Sequence, residues 1–367
     1  MTDAILVLNA GSSSIKFAIY STDLERMESC HMEVFASAGG HAGALAPLLD
    51  RLTGPGADFR LVGAGHRVVH GGTDFTGPVL LTEEAIDQLA ALEPLAPHHQ
   101  PHNVAAIRAL AERLPDLPHV ACFDTAFHAT QPGVARNLGL PAEYSDRGII
   151  RYGFHGSSYE YIVGAFEEVT GVGLPKRLAI AHLGNGASMC AVLEGKSVAT
   201  TMGFSTLDGI PMGTRSGALD PGVILHLMRE DKLDLTALED LLYNRSGLLG
   251  VSGISADMRQ LLESDEEGAR TAIDYYGYRI CRELGSLAAA LGGLDGLVFT
   301  GGIGENAAKV RADIIGRSGW LGLELDSGAN DSGGPLITRV SGKVQAWVLA
   351  TDEERVIARH TLDALKP

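Results

Sequence analysis

Two polar loop tips and a few separated charged groups carry the chemistry available to this chain. The first tip is Asn9-Ala10-Gly11-Ser12-Ser13-Ser14, set between the apolar run Ile5–Leu8 and a second alternating run that contains Lys16. Small residues let backbone N–H groups approach an anion, hydroxyls add donors, and Lys16 adds positive charge. A phosphate loop and an ordinary hairpin with a Ser-rich turn both fit this segment taken alone. It does not fit the Walker pattern. A second tip, His182-Leu183-Gly184-Asn185-Gly186, lies between two further apolar runs and repeats the design in the second half of the chain. The echo reads as a duplicated domain, each copy opening with its own phosphate loop.

The charged groups come from other segments. Arg67 stands among apolar residues in Leu61–Gly72, so it must meet an anion or a carboxylate. Arg215 lies in Met212-Gly213-Thr214-Arg215-Ser216-Gly217, a flexible setting suited to reaching a phosphoryl group. Asp124 ends the apolar run His119–Phe123, and ligands in α/β sheets sit beyond such strand ends; capping the following chain is its other reading. His155 precedes the expected capping box Ser157-Ser158-Tyr159-Glu160 of a helix. Gly301-Gly302-Ile303-Gly304-Glu305-Asn306 follows a buried run, as in nucleotide sites, but lacks the last glycine of the dinucleotide fingerprint. Glu353, in the expected capping box Thr351-Asp352-Glu353-Glu354, either supports a helix dipole or meets a metal. His98, His99 and His102 sit in a Pro-rich stretch with no Cys or paired carboxylate, which favours a loop lining a site over a metal centre. Asn103 is expected to cap the helix that follows.

These residues need strands that end at the loops and helices that start there. The pattern predicts an α/β chain with strands at Ile5–Leu8, Ile15–Tyr20, Leu61–Val69, His119–Thr125, Leu178–Leu183, Ala187–Leu193, Leu297–Thr300 and Val344–Leu349. Helices are expected from Glu83 to about Leu92, over about Ala269–Leu291, and from Thr351 to the end. Two domains follow, 1–125 with 351–367 as the first and 126–350 as the second, the final helix packing back on the first.

The chain has 367 residues and a net charge of −16. That balance argues against nucleic acid or an anionic membrane as a partner, while local arginines still admit a small anion. The four cysteines are far apart, no apolar run is long enough to span a bilayer, and Met1-Thr2-Asp3 carries no basic segment. A soluble cytoplasmic protein is the expectation.

Taken together the segments resemble the acetate kinase (acetokinase) family of the sugar-kinase/actin-like superfamily. The resemblance rests on the motifs quoted above together with Gly65-His66-Arg67-Val68-Val69-His70-Gly71-Gly72, Phe123-Asp124-Thr125-Ala126-Phe127-His128 and Tyr152-Gly153-Phe154-His155-Gly156. They cover nearly the whole chain in the family's order. The resemblance implies duplicated ribonuclease-H-like domains with mixed sheets flanked by helices. It also implies a homodimer and reversible phosphoryl transfer between ATP and acetate, with Mg²⁺ or Mn²⁺. Asn9 and Glu353 fall at the metal and Lys16 near the nucleotide phosphates. Arg67, Val69, His99 and Phe154 fall at the acyl substrate. Asp124 becomes the essential carboxylate, and His155 and Arg215 stabilise the transition state. His182, Leu183, Gly184, Asn185 and Gly186 meet phosphates. Asp257, Met258 and Arg259, with Gly302, Ile303, Gly304, Glu305 and Asn306, hold the nucleoside side.

Three places depart from the family pattern, one of them a short segment. His98 replaces Leu, Ser205-Thr206-Leu207-Asp208 replaces Thr-Pro-Leu-Glu, and Tyr159 replaces His. The first two bear on the acyl pocket. Acetate is already ionised and needs no general base, so Asp124 is expected to organise donors and metal; proton transfer is its other reading. Direct in-line transfer is the expected route, with phosphorylated Glu353 as the alternative. A sugar kinase or a nucleotide-switched chaperone would not need Arg67, Arg215 and His155 together.

Overall fold

The computed structural model describes residues 2–11, 14–33, 40–54 and 59–366. Ser12 and Ser13 of the first tip lie outside the described residues. The chain divides into two compact units, one of Met1–Ala129, Gly156–Tyr161 and Asp352–Pro367, the other of Thr130–His155 and Ile162–Thr351. The sequence reading had put the boundaries at 125/126 and 350/351, without the segment Gly156–Tyr161.

In the first unit the strands are β1 (Thr2–Ala10), β2 (Ser14–Ser21), β3 (Arg26–Glu33), β4 (Phe59–Val68), β5 (Val79–Leu80) and β6 (His119–Phe123). They form one sheet in the order β3-β2-β1-β4-β6-β5. The first three run antiparallel, while β1, β4 and β6 are parallel. The second unit contains β7 (Arg177–Leu183), β8 (Ala187–Leu193), β9 (Lys196–Thr200), β10 (Gly296–Thr300) and β11 (Gln345–Val348), in the order β11-β10-β7-β8-β9. Again the first three are antiparallel and β7, β10 and β11 are parallel. Apart from the short edge strand β5, the two sheets share one plan. The architecture is α/β, a duplicated pair of mixed sheets flanked by helices.

Alternation along β1 fills two cores. Ala4, Leu6, Leu8 and Ala10 pack with Leu45, Leu48, Leu49, Ala106 and Leu110 on one face. Ile5 and Val7 pack with Ile357 and Ala358 of the final helix, Glu353–Ala364, on the other. Burial on both faces explains the continuous apolar run. Gly63 and Gly65 in β4 let that helix approach closely. A β-carbon on Gly63 would lie 2.7 Å from the Leu365 side chain, and one on Gly65 would lie 2.6 Å from Ile357 and overlap Thr361. Glu353 is therefore brought against the sheet by glycines two and four residues before Arg67 on the same strand.

Several helix starts differ from expectation. The helix Gln100–Arg113 begins before Asn103, with Pro101 in its first turn, where the missing N–H costs nothing. Asn103 is thus inside the helix. The helix Gly156–Thr170 follows His155, which adopts a left-handed conformation (φ 60°), and no side chain caps it. The expected box from Ser157 does not form, because Glu160 binds elsewhere: its carboxylate accepts from Arg359 and lies 2.7 Å from Nε2 of His360. In the final helix the cap is Asp352, whose carboxylate accepts from the Arg355 N–H at 3.0 Å, rather than Thr351.

Burial alone would raise the Glu160 pKa, but His360 and Arg359 outweigh it and hold the carboxyl below its usual range. A depressed folded pKa adds stability that is fully present above the unfolded pKa and is lost as pH falls through the folded value. Glu160→Gln is expected to cost about 1 kcal/mol at neutral pH. The gap in Tm from wild type should close in acid; a gap independent of pH would contradict this assignment.

Candidate active site

In the first unit the charged residues meet at the ends of parallel strands. Arg67 is the penultimate residue of β4, and Asp124 immediately follows β6. Nε of Arg67 donates to Oδ1 of Asp124 at 2.8 Å and Nη2 donates to Oδ2 at 2.7 Å, a two-pronged pair. Nη1 donates to Oδ1 of Asn9 at 3.3 Å. Glu353 lies 3.9 Å from Nε of Arg67. The Asp124 side chain is 3% exposed, the Arg67 side chain 20%. Burial opposes the charge of Arg67, but Asp124 and Glu353 outweigh it and raise its pKa. Burial raises the pKa of Glu353, as do Asp124 and Asp352; Arg67 and Lys16 oppose them. Asn9 and Lys16 are directly opposed across the β1–β2 hairpin.

Both sequence readings of Arg67 are present in one arrangement. It has a carboxylate partner, and its partly exposed guanidinium stands at a strand end. Val69 differs from expectation. The expected strand runs to Val69, whereas β4 ends at Val68. Val69 is instead fixed by its N–H, which donates to Oδ1 of Asn103 at 3.0 Å. His99 immediately precedes the helix Gln100–Arg113.

In the second unit, Nδ1 of His155 is 2.8 Å from Oγ of Ser188 on β8. Its ring stacks on His182, centroids 4.4 Å apart. A β-carbon on Gly186 would lie 3.5 Å from Nε2 of His155 and 4.0 Å from Nη1 of Arg215. The tip after β7 thus borders both groups, and its glycine leaves them room. Arg215 donates from Nη1 to the Thr206 carbonyl at 3.2 Å, so one position that departs from the family pattern touches it directly. No carboxylate forms an ion pair with Arg215 among the described residues. Burial lowers its pKa, with Tyr243 opposing. Ser188 was not expected; its signal was a hydroxyl in an otherwise apolar strand. Phe154 is buried in this unit.

A cavity of about 740 Å³ opens in the same unit, within the range of small-molecule sites. Gly184, Asn185, Asp257, Met258, Arg259, Gly302, Ile303 and Asn306 line it, as expected for the nucleotide. Ala256, Leu262 and Ala307 add apolar wall that sequence reading missed. His182, Leu183, Gly186, Gly304 and Glu305 are not in its lining. Oε1 of Glu305 instead accepts from the N–H of Gly301 at 2.9 Å and of Thr351 at 3.4 Å. The reason is geometric: Glu305 is one helical turn after Gly301 and folds back on the helix start.

Comparison with known proteins places these features in context. The chain matches the Acetokinase family over residues 28–359. It is 51% identical to an acetate kinase of Rhodopseudomonas palustris, over 98% of each chain. It is 45% identical to an acetate kinase of Methylocella silvestris, over 100% of this chain and 98% of that one. Among solved structures it is similar to a propionate kinase from Francisella tularensis, with TM-score 0.93, 34% identity and coverage of 99% and 100%. An acetate kinase from Porphyromonas gingivalis matches with TM-score 0.88 and 34% identity, over 99% and 100%.

Proposed function

The chain belongs to the acetokinase family, and from that membership we propose how its own residues perform the family reaction. The enzyme is an acetate kinase, a phosphotransferase with a carboxyl acceptor, and ATP and ADP are its co-substrates. One observation carries the residue assignment. Arg67 is held by Asp124 in two bonds, while Arg215 is partly buried with no carboxylate partner among the described residues. A cation in that second state is poised for an anion that arrives with the substrate.

Phosphoryl transfer asks for positioning and charge neutralisation more than covalent chemistry. Arg67, turned by Asp124, offers its remaining donors to the acyl carboxylate. Arg215 and His155 donate to the oxygens of the transferred group, where charge spreads in the transition state. Ser188 fixes the orientation of His155 through Nδ1. Lys16 adds charge toward the phosphates. The cavity at Gly184, Asn185, Asp257–Arg259, Gly302, Ile303 and Asn306 takes the nucleoside, with Leu262 and Ala307 as apolar wall.

The fit of a divalent metal rests on the donor set. Asn9 and Glu353 offer hard oxygens, and no group of three His, Cys, Asp or Glu among the described residues forms a complete cage. One or two protein oxygens beside substrate phosphates is the pattern of Mg²⁺ sites. Asn9 and Glu353 would hold Mg²⁺ or Mn²⁺, which supplies charge neutralisation at the phosphates when bound.

Val69, 8% exposed, is the proposed wall for the acyl methyl group, with His99 and Phe154 completing the acyl site. Acetate should be preferred over propionate, one methylene being worth about 1–3 kcal/mol in such a pocket. Val69→Ala should lower the KM for propionate; an unchanged ratio of kcat/KM for the two acids would remove Val69 from the pocket.

A homodimer is the proposed assembly. The helix Pro221–Arg229 has no buried residue, and Val223, Leu225 and Met228 on it are exposed, as are Leu219 and Leu235 nearby. An apolar surface of this extent marks an interface. Leu225→Glu with Met228→Glu should yield monomers by sedimentation velocity, whereas an unchanged dimer would place the interface elsewhere. No helix among the described residues is long and apolar enough to cross a membrane. None of the four described cysteines is in a disulfide, which supports a reducing compartment, the cytoplasm.

The test is a hydroxamate assay with ATP, a divalent metal, and acetate, propionate, butyrate or glucose. Acyl hydroxamate from acetate and propionate is the expected result. ATP consumption with glucose alone would overturn the reading.

A further inference from the structure

We infer that Asn103 is a positioning residue for the acyl site, acting through the backbone of the two segments that carry Asn9 and Arg67. The inference rests on the phosphotransfer reading above. Asn103 is 3% exposed, on the buried face of the helix Gln100–Arg113. Its Nδ2 donates to the carbonyl of Ala10, the last residue of β1, at 2.7 Å. Its Oδ1 accepts from the N–H of Val69, the residue after β4, at 3.0 Å. One amide therefore ties together two strand ends. Asn9 immediately precedes the first anchor, and Arg67 lies two residues before the second.

One anchored group is the carbonyl of the last residue of β1 and the other is the N–H of the residue just past β4, where ladder bonds give out. Val69 lies just past β4, and its N–H is taken by Asn103. The same helix repeats the device one turn earlier, where Nε2 of Gln100 donates to the carbonyls of His70 at 3.2 Å and Leu89 at 3.0 Å. The helix thus fixes the path of Val69 and His70 as the chain leaves β4. An amide suits this task because it donates and accepts at once, and both bonds are shielded from water. The nucleotide cavity is lined by other segments, so the influence of Asn103 on substrate binding falls on the acyl side, through the Val69 anchor beside Arg67.

The test compares Asn103→Leu and Asn103→Asp with wild type in steady-state kinetics for acetate, propionate and ATP, alongside Tm. Asn103→Leu removes both bonds. It should raise the KM for acetate about 10-fold, leave the KM for ATP within about twofold, and change the propionate-to-acetate ratio of kcat/KM by about threefold or more. Asn103→Asp retains the acceptor for the Val69 N–H. It should keep the wild-type ratio while kcat falls, because the Ala10 anchor is lost. Parallel rises in both KM values, or an unchanged ratio in the Leu variant, would overturn the inference. If the Leu variant does not fold, a changed ratio in the Asp variant overturns it and an unchanged ratio with lowered kcat supports it. Failure of wild type to make acyl phosphate would instead overturn the underlying reading.

Discussion

Asp124→Asn should lower kcat/KM for acetate by about 10³-fold. The carboxylate accepts two hydrogen bonds from Arg67 and is almost fully buried. The substitution keeps the shape of the side chain but removes its charge, so Arg67 loses its counter-ion and one of two matched acceptors. Breaking a buried pair in this way costs about 3–5 kcal/mol, which corresponds to roughly 10²- to 10³-fold or more in rate if the lost energy falls on the transition state. Arg67 also touches Asn9 and neighbours Glu353, so the loss should not be confined to one substrate. Steady-state kinetics with both substrates, and Tm to confirm folding, check this. A decrease of less than about 10-fold would show that Asp124 only supports the fold.

Arg215→Ala should act differently. Its guanidinium is held by a carbonyl and by no carboxylate among the described residues, so removal strands no partner charge. The expected result is a fall in kcat of about 10³-fold, the lower range for an arginine that meets transition-state charge, with the KM for acetate changed by less than about threefold. Arg215→Lys should recover little, because an ammonium cannot reproduce the planar fork. Equal small effects from the Arg215 and Arg67 alanine variants would remove both assignments.

The features legible in the sequence are those where one segment carries its own signal. The runs before Asn9 and before Gly184 read as buried strands because both faces of β1 and β7 are covered. Repetition of the strand–tip–strand pattern anticipated two sheets of one plan. The need of Arg67 for a partner was legible because a charge among apolar neighbours needs a reason, and Asp124, at the end of a buried strand, supplies that partner. What escaped depends on partners distant in sequence. Glu160 looked like half of a capping box, yet Arg359 and His360, some 200 positions later, take its carboxylate. Asn103 looked like a cap, yet it bonds to Ala10 and Val69 from inside a helix. Glu305 looked like a cavity residue, yet it turns back to Gly301 and Thr351. The expected strand overran β4 by one residue, at Val69, because the residue pattern alone does not fix a strand end.

The central claim is direct in-line transfer from ATP to the acyl carboxylate, with arginines and His155 neutralising charge and Glu353 unmodified. A phosphorylated Glu353 would set a dianion among Asp124 and Asp352, whose charges already disfavour ionisation of Glu353. The stereochemical course at phosphorus separates the two routes. With ATP made chiral at the γ-phosphorus by oxygen isotopes, the configuration of the acyl phosphate formed from acetate is read by ³¹P NMR. A single in-line displacement predicts inversion; retention, the mark of two successive displacements, would contradict the account.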